Sequence, residues 1–282
     1  MKTILFTNAR DEPDILEWVV HHKHSIGFDQ IYIVDHKSKK PIFEVVEDIP
    51  NVYVKRLECE VVVKNDLICD AVKYAREHQY DWMLYLDADE LLILPNDNNI
   101  HDFLHKYEDY DMIGINWLLF GSNYHNNRPE GTLLENYIRC ETQFNVHIKS
   151  VVRPLCVTGV PVDGGPHVYN IKEFDRAVGT NKVPMIKEHP HFFNQLGHMN
   201  NVNDINKNDA YVAHHIFQCF EIYQQRKVFR KRDDNNQDWS WKFDEAELHK
   251  HYNHCENSRP CEKYNEHNKE RMAFYKNKQQ ST

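Results

Sequence analysis

Two kinds of hydrophobic pattern alternate over the first ninety residues, and this alternation limits the folds open to the chain. The segments KTILFTNA (residues 2–9), QIYIVDHKS, NVYVKRLE and WMLYLD are apolar or alternating runs of strand length. Residues 14–25 and 65–78 instead repeat apolar side chains at helical spacing, and Gly27 follows the first of them as a helix stop. Strands and helices in this order predict an α/β fold with a mostly parallel central sheet.

The chain is long enough, at 282 residues, to bury one full hydrophobic core. We expect a single α/β domain over residues 1–232. Residues 233–282 are polar and interrupted by Pro260, and we expect them to form a helical extension that packs on the domain or is partly mobile.

Composition and charge limit the kinds of molecule that we expect the protein to bind. With 41% hydrophobic and 27% charged residues, the chain has the make-up of an ordinary globular protein. The formal net charge of -9 argues against nucleic acid as a partner, because proteins that bind it present basic surface to the phosphates. The N-terminal apolar run is far shorter than the roughly 20 residues of a membrane span. We therefore expect a cytoplasmic protein without a membrane span, whose oligomeric state stays open.

The seven cysteines include no CxxC pair, so reduced thiols are the expected state. Zinc is considered only at Cys255 and Cys261, which have His251, His254 and His267 around them. Their spacing fits no standard zinc finger, and an ordinary polar helical region is the favoured interpretation.

The stretch DWMLYLDADELLIL, residues 81–94, places Asp87, Asp89 and Glu90 between apolar runs. A carboxylate in such surroundings must be paired, protonated or bound to a metal, because burial removes its hydration. Mn²⁺ and Mg²⁺ prefer oxygen ligands and often take one or two carboxylates, with phosphate and water as the other ligands. We therefore favour a metal and nucleotide diphosphate site over the alternative that these residues cap a helix.

Polar groups follow three of the predicted strands, at residues 8–12, at Asp35 and at residues 87–90. Ligands of parallel sheets bind beyond the carboxyl ends of the strands, so these groups predict a cleft along one edge. The chain contains neither GxGxxG nor GxxxxGK[ST]. We therefore expect no dinucleotide site or P-loop, and expect metal to contribute much of any phosphate binding.

Six motifs occur in an order that resembles a known group of enzymes. DWMLYLDADELL resembles the DxD segment of nucleotide-sugar glycosyltransferases with the GT-A fold, in particular the family-2-like and family-92-like group. Further motifs of that group resemble NARDEPDILEWVVHHKHSIGFDQIYIVDHKS, INWLLFGS, HIKSVVRP, GGPHVY and AHHIFQCFEIYQQRK. The resemblance spans about residues 3–232, with departures at residues 10–12, at His215 and at residues 218–219.

The resemblance implies a donor site. Asp87 and Asp89 would bind Mn²⁺ or Mg²⁺, with Asp89 the more direct ligand, and His214 would be a third metal or diphosphate ligand. The residues that it places around the nucleoside and the diphosphate are Arg10, Glu12, Asp35, Asp87, Lys149 and Arg153.

The resemblance also implies an acceptor side, where aromatic rings stack against a sugar. The residues expected there are Trp117, Phe120 and His167. An inverting transfer needs a carboxylate that takes the proton of the acceptor hydroxyl. The candidates for this base, in order, are Asp163, Glu141 and Glu90.

The implied function is that of a metal-dependent, hexosyltransferase-like glycosyltransferase. It would transfer a sugar from a nucleotide diphosphate donor, expected to be a UDP-sugar, to a hydroxyl of a glycan or other acceptor. Inversion is the expected outcome, and a retaining transfer stays open. By analogy, the product would be a polysaccharide or glycoprotein of a bacterium or virus. Two alternatives stay open. One is a nucleotidyltransferase that makes a sugar nucleotide, although its glycine-rich basic loop is absent, and the other is a non-catalytic sugar or metal binder.

Overall fold

The fold is mixed α/β around one large, mostly parallel sheet, which confirms the predicted fold class. The structure is a computed structural model and describes residues 1–161, 165–185, 207–233, 235–240 and 242–279. Its strands are β1 (Thr3–Ala9), β2 (Gln30–His36), β3 (Val52–Leu57), β4 (Trp82–Tyr85), β5 (Glu90–Ile93), β6 (Met112–Leu119), β7 (Arg139–Cys140), β8 (Ile148–Val152), β9 (Val157–Gly159), β10 (Asn170–Ile171), β11 (Ala177–Gly179), β12 (Tyr211–His214) and β13 (Cys255–Glu256).

Helices of different lengths cover the sheet and its loops. The α-helices are α1 (Ile15–Val20), α2 (Phe43–Val46), α3 (Lys64–Glu77), α4 (Ile100–His105), α5 (Leu133–Asn136), α6 (Phe220–Tyr223), α7 (Glu245–Leu248) and α8 (Arg259–Gln279). The π-helical turns His21–Ser25 and Gln224–Val228 continue α1 and α6, and short 3-10 turns span Pro154–Cys156 and Phe174–Arg176. Within the described residues, no helix has both the length and the apolar character needed to cross a membrane.

The strand order of the large sheet is β3-β2-β1-β4-β8-β6-β12-β5, with β11 also paired to β6. Neighbours β3, β2, β1 and β4 are parallel, and β6 is parallel to β12. Two strands run the other way, because β8 is antiparallel to β4 and β6, and β5 is antiparallel to β12. The carboxyl ends of the parallel strands therefore share one edge with the first residues of β5 and β8.

The hydrophobic patterns explain which faces are buried. Strand β1 is buried along nearly its whole length, as expected for a parallel strand covered on both faces. Helix α3 buries the stripe Ile68, Ala71, Val72 and Ala75 that its 3.6-residue period predicts. The four predicted strands and two predicted helices of the first ninety residues are thus confirmed.

The helix predicted over residues 217–230 is shorter in the structure. The chain is α-helical only over Phe220–Tyr223 and then forms the π-helical turn Gln224–Val228. A π-helical turn inserts an extra residue and rotates the side chains that follow it. Periodicity alone could not predict this change of helix type.

Helix α8 of the C-terminal region contacts the α/β fold through polar side chains. The hydroxyl of Tyr264 donates a hydrogen bond to the carbonyl oxygen of Leu94 at 3.0 Å. The hydroxyl of Tyr275 is 2.9 Å from Nε2 of His24. The domain boundary at residue 232 stays a prediction.

Gly121, the glycine of the INWLLFGS motif, lies against the backbone of a distant segment. A Cβ at this position would be 2.7 Å from the carbonyl carbon of Tyr252. Atoms do not approach this closely without displacement, and here the neighbour is backbone that cannot rotate away. The motif requires glycine for space.

We therefore expect Gly121→Ala to destabilise the protein by about 1–3 kcal/mol, the usual cost of overpacking. Gly159→Ala is the matched control, because among the described residues the atom nearest to its Cβ would be Nδ2 of Asn170, at 3.6 Å. Urea unfolding midpoints of both variants test this. Equal midpoints would contradict the close contact.

Candidate active site

The carboxyl edge of the parallel strands opens onto a cavity of about 360 Å³. Its described lining residues are Asn8, Ala9, Arg10, Glu12, Val62, Lys64, Asp87, Ala88, Asp89, His214, Ile216, Arg226, Lys227, Arg230, Arg232, Asp233 and Trp239. The cavity therefore joins the end of β1, the turn after β4, the end of β12 and the helical segment that follows it.

A buried lysine lies behind the first carboxylate. Lys149 is completely buried, and its Nζ is 2.8 Å from Oδ2 of Asp87 and 3.3 Å from Oε2 of Glu90. The ammonium group of Lys64 donates a hydrogen bond to the other carboxylate oxygen of Asp87, Oδ1. Burial by itself raises the pKa of Asp87, but the charges of Lys149 and Lys64 outweigh it and hold that pKa well below its usual value. Asp87 is therefore a carboxylate fixed by two cations.

Glu90 lies inside the protein and supports the turn between β4 and β5. Its Oε2 accepts a hydrogen bond from the backbone N–H of Asp87 at 2.8 Å. Trp18 of α1 donates its indole N–H to the carbonyl oxygen of Glu90 at 2.8 Å. Burial raises the pKa of Glu90 to about 7, although Lys149 acts in the opposite direction. Glu90 is thus a structural part of the site rather than a group exposed to the cavity.

The second carboxylate faces a guanidinium and an imidazole. Oδ2 of Asp89 is 2.6 Å from Nη2 of Arg226, and Oδ1 is 3.7 Å from Nε2 of His214. Burial by itself raises the pKa of Asp89, but Arg226 and His214 outweigh it and lower that pKa well below its usual value. The antiparallel register of β12 and β5 places His214 directly opposite Glu90, which explains its position.

Arg226, in the π-helical turn Gln224–Val228, contacts carboxylates of two separate segments at the carboxyl edge of the sheet, those of Glu12 and Asp89. Its Nε is 3.6 Å from Oε1 of Glu12, and Arg230 approaches the same carboxylate at 3.9 Å. Burial by itself lowers the pKa of Arg226, but Glu12 and Asp89 together raise it. Burial and the charge of Arg226 lower the pKa of the neighbouring Lys227 to about 8. Both basic side chains line the cavity.

Asp89 and His214 fit a divalent cation better than Asp87 does. The 3.7 Å between Oδ1 of Asp89 and Nε2 of His214 lets both atoms reach one ion at ordinary ligand distances. Both oxygens of Asp87 already contact lysines. Across the described parts of the chain, no group of three or more His, Cys, Asp and Glu side chains is arranged to hold a metal. The three-residue ligand set Asp87, Asp89 and His214 stays a prediction.

An aromatic cluster adjoins the carboxylates. Trp117, partly exposed near the end of β6, has its ring centroid 4.5 Å from that of His214 and 5.2 Å from that of His167. His147 stacks on Trp117 at 5.1 Å, and the ammonium of Lys149 lies 5.5 Å from the same ring. Two of the three residues expected on the acceptor side, Trp117 and His167, therefore lie together beside the site.

Four other predicted residues do not line the cavity. Asp35 is buried and accepts hydrogen bonds from the backbone of Ser38 and Ile42 and from Arg56. Arg153 lies beyond the end of β8, stacks on Trp82 and binds backbone carbonyls. Phe120 is buried against His215, and the carboxylate of Glu141 contacts His254 at 2.9 Å. Asp163, the first candidate base, lies outside the described residues.

The cavity also contains basic residues to which the sequence analysis assigned no role. They are Lys64, Arg226, Lys227, Arg230 and Arg232. The spacing of Arg226 and Arg230, four residues apart after a conspicuous motif, is the one sequence signal that points to a shared face. No sequence motif predicts a role for Lys64 in the site, because its contact with Asp87 depends on the conformation of the loop that leads into α3.

A larger cavity of about 900 Å³ lies on the other side of residues 11–14. Lys39, Arg128 and Met272 are among its lining residues, and Glu12 borders both cavities. We place the candidate site in the smaller cavity, because it contains the Asp87 and Asp89 side chains and the buried ion pairs behind them.

Comparisons with family models and with curated proteins found no match to this chain. Solved structures do match. S. aureus TarS 1-349 in complex with UDP is 14% identical over 58% of this chain and 52% of that chain, with a TM-score of 0.38. Glucosyl-3-phosphoglycerate synthase from Mycobacterium tuberculosis, in complex with Mn²⁺, UDP and phosphoglyceric acid, is 12% identical over 41% and 43%, with a TM-score of 0.29. A putative glucose-1-phosphate thymidylyltransferase from Bacillus anthracis is 8% identical over 55% and 72%, with a TM-score of 0.33.

This chain spans about half the length of the TarS 1-349 chains. TarS and glucosyl-3-phosphoglycerate synthase are thus among the solved structures to which this chain is similar.

Lys149→Met tests the buried ion pairs. Removing the ammonium leaves Asp87 and Glu90 facing each other without their shared cation, and we expect a loss of about 3–5 kcal/mol in the free energy of unfolding. Lys73→Met is the control, because Lys73 is an exposed lysine whose ammonium is 4.0 Å from the carboxylate of Glu77. Guanidinium unfolding of both variants measures the difference, and a Lys149→Met protein as stable as the control would refute this assignment.

Proposed function

We propose that the protein is a glycosyltransferase that moves a sugar from a nucleotide diphosphate donor, expected to be a UDP-sugar, to a hydroxyl of a glycan or other acceptor. The observation that carries this proposal is the position of Asp87 and Asp89 at the carboxyl edge of a parallel sheet, within a cavity rich in cations. The ordered sequence motifs support the same class of enzyme.

The charges of the cavity suit a diphosphate. Its described lining includes six basic side chains against four acidic ones, and its volume of about 360 Å³ is within the usual range for a small-molecule site. Lys227 and Arg230 lie on the same segment of the chain, and both line the cavity. Both side chains could therefore donate hydrogen bonds to the phosphate oxygens of one ligand. They would also stabilise the negative charge that develops on the departing nucleotide.

A divalent cation, Mn²⁺ or Mg²⁺, would be held by Asp89 and His214 and would supply positive charge beside the leaving diphosphate. Arg226, which now contacts Asp89, would remain close enough to share that carboxylate or to turn to a phosphate. Asp87, held in place by Lys149, would keep the turn in its conformation. The part of its side chain that lines the cavity would contact the donor.

The acceptor would bind beside Trp117 and His167, whose ring centroids are 5.2 Å apart and of which Trp117 packs against His214. Asp163 is our proposal for the base that takes the proton of the acceptor hydroxyl, because His167 follows it closely in the chain. Glu90 is completely buried, and Glu141 contacts His254, so neither is suited to touch an acceptor.

Nucleotide binding is the first test. We expect UDP with Mn²⁺ to raise the melting temperature of the wild type, since a ligand at one hundred times its Kd stabilises a fold by about 2.7 kcal/mol. Asp89→Asn should lose this shift, whereas Asp70→Asn, an exposed position on α3, should keep it. A screen of UDP, GDP and CMP with and without Mn²⁺ gives the measurement.

Turnover then separates the candidate functions. Release of UDP from a UDP-sugar in the presence of acceptor supports the glycosyltransferase. Release of pyrophosphate from UTP and a sugar phosphate would instead support the nucleotidyltransferase. Binding of the nucleotide sugar without either reaction, over a broad acceptor panel, would favour the non-catalytic binder.

Arg230→Met tests the diphosphate contact. We expect it to weaken UDP binding at least tenfold while uridine binding stays the same, because a charged hydrogen bond to phosphate contributes about 1.5–3 kcal/mol. Lys231→Met, at the exposed neighbouring residue, should change neither affinity. Calorimetric titration measures both ligands, and an equal loss for uridine and UDP would place Arg230 away from the phosphates.

A further inference from the structure

Two cysteines face each other away from the candidate active site. Cys140 ends β7 and Cys255 begins β13, and these strands form their own antiparallel pair in which the two cysteines are directly opposite. Opposed residues of antiparallel strands have Cα atoms about 4.5–5.5 Å apart. This separation lies within the range of about 4.4–6.8 Å that a disulfide spans.

The side chains are already close. Sγ of Cys140 is 3.7 Å from Sγ of Cys255. The ammonium of Lys207 is 3.4 Å from Sγ of Cys255 and 3.7 Å from Sγ of Cys140. The two sulfurs and one cation thus form a cluster that no step of the proposed sugar transfer uses.

The two thiols differ in their access to solvent. Cys140 is completely buried, whereas Cys255 is partly exposed. Burial raises the pKa of the Cys140 thiol to about 12, so this sulfur keeps its proton at neutral pH. An oxidant from solvent would therefore meet Cys255 first.

We propose that Cys140 and Cys255 are a site of reversible oxidation, at which a peroxide converts the two thiols into a disulfide. The sulfur of Cys255 attacks one peroxide oxygen, the O–O bond breaks, and Cys255 becomes a sulfenic acid. Lys207 would donate a proton to the departing oxygen, which leaves as water, and would take up in exchange the proton that the Cys255 thiol loses. The sulfur of Cys140 then bonds to that of Cys255, and the sulfenic oxygen leaves as water with the last thiol proton. In total, two thiols are oxidised and one hydrogen peroxide is reduced to two waters.

The disulfide would have a structural consequence. It would join residues 115 positions apart and fix the segment that precedes α8 to β7. Cross-links over long loops restrict the unfolded chain, so the oxidised protein should melt at a higher temperature than the reduced one.

The test uses the full chain, reduced, then treated with a small excess of hydrogen peroxide, alkylated and digested for mass spectrometry. The expected result is a peptide pair linked through Cys140 and Cys255, with the mass of two hydrogens lost and full reversal by dithiothreitol. Cys255→Ser should abolish the linked pair and the rise in melting temperature. Cys69→Ser, which removes an exposed thiol on α3, should leave both unchanged, and Lys207→Met should slow the reaction.

Three results would overturn the proposal. The first is alkylation of both Cys140 and Cys255 at a peroxide dose that oxidises the exposed Cys69. The second is a disulfide from Cys255 to a different cysteine. The third is a cross-link between Cys255 and Lys207 that retains a peroxide oxygen. Each result is read on the wild-type chain, so the test does not depend on the folding of a variant.

Discussion

The burial of one ammonium group, that of Lys149, is the constraint on which the rest of the site depends. A lysine without access to water keeps its charge only next to groups such as carboxylates, and here Asp87 and Glu90 provide them. Those two residues begin and end the turn after β4, so the ion pairs fix the backbone that carries Asp89. Strand β8, which contributes Lys149, runs between the two parallel parts of the sheet and brings this cation to the edge where they meet.

The geometry of the cavity follows from this fixed turn. Asp89 points away from Lys149 toward His214 and Arg226, and those two side chains come from consecutive segments of the chain. Arg226 lies in the π-helical turn that follows Tyr223, and its guanidinium contacts the carboxylate of Asp89. One edge of the sheet thereby combines fixed carboxylates with several cations, which is an arrangement suited to an anionic, metal-associated ligand.

The sequence predicted the first four strands and two helices because buried parallel strands and one-sided helices have distinct periods. It could not predict the two-residue strands β7 and β13, which are too short to carry a period. The resemblance places Lys149 near a diphosphate, but its partner Asp87 is 62 residues away, and no local pattern encodes that contact. The resemblance places Asp35 near the nucleoside, yet hydrogen bonds from Arg56 and its own loop occupy its carboxylate. The sequence pattern thus predicts which residues lie at the edge of the sheet. Contacts between residues that are far apart in the chain determine which of their side chains face the cavity.

A crystal structure of the protein with UDP and Mn²⁺ tests the central claim most directly. The account predicts a diphosphate in the 360 Å³ cavity, in contact with Arg230 and next to a metal bound by Asp89. A nucleotide bound instead in the 900 Å³ cavity beside Lys39, with Asp89 still paired to Arg226 and no metal near it, would contradict the claim.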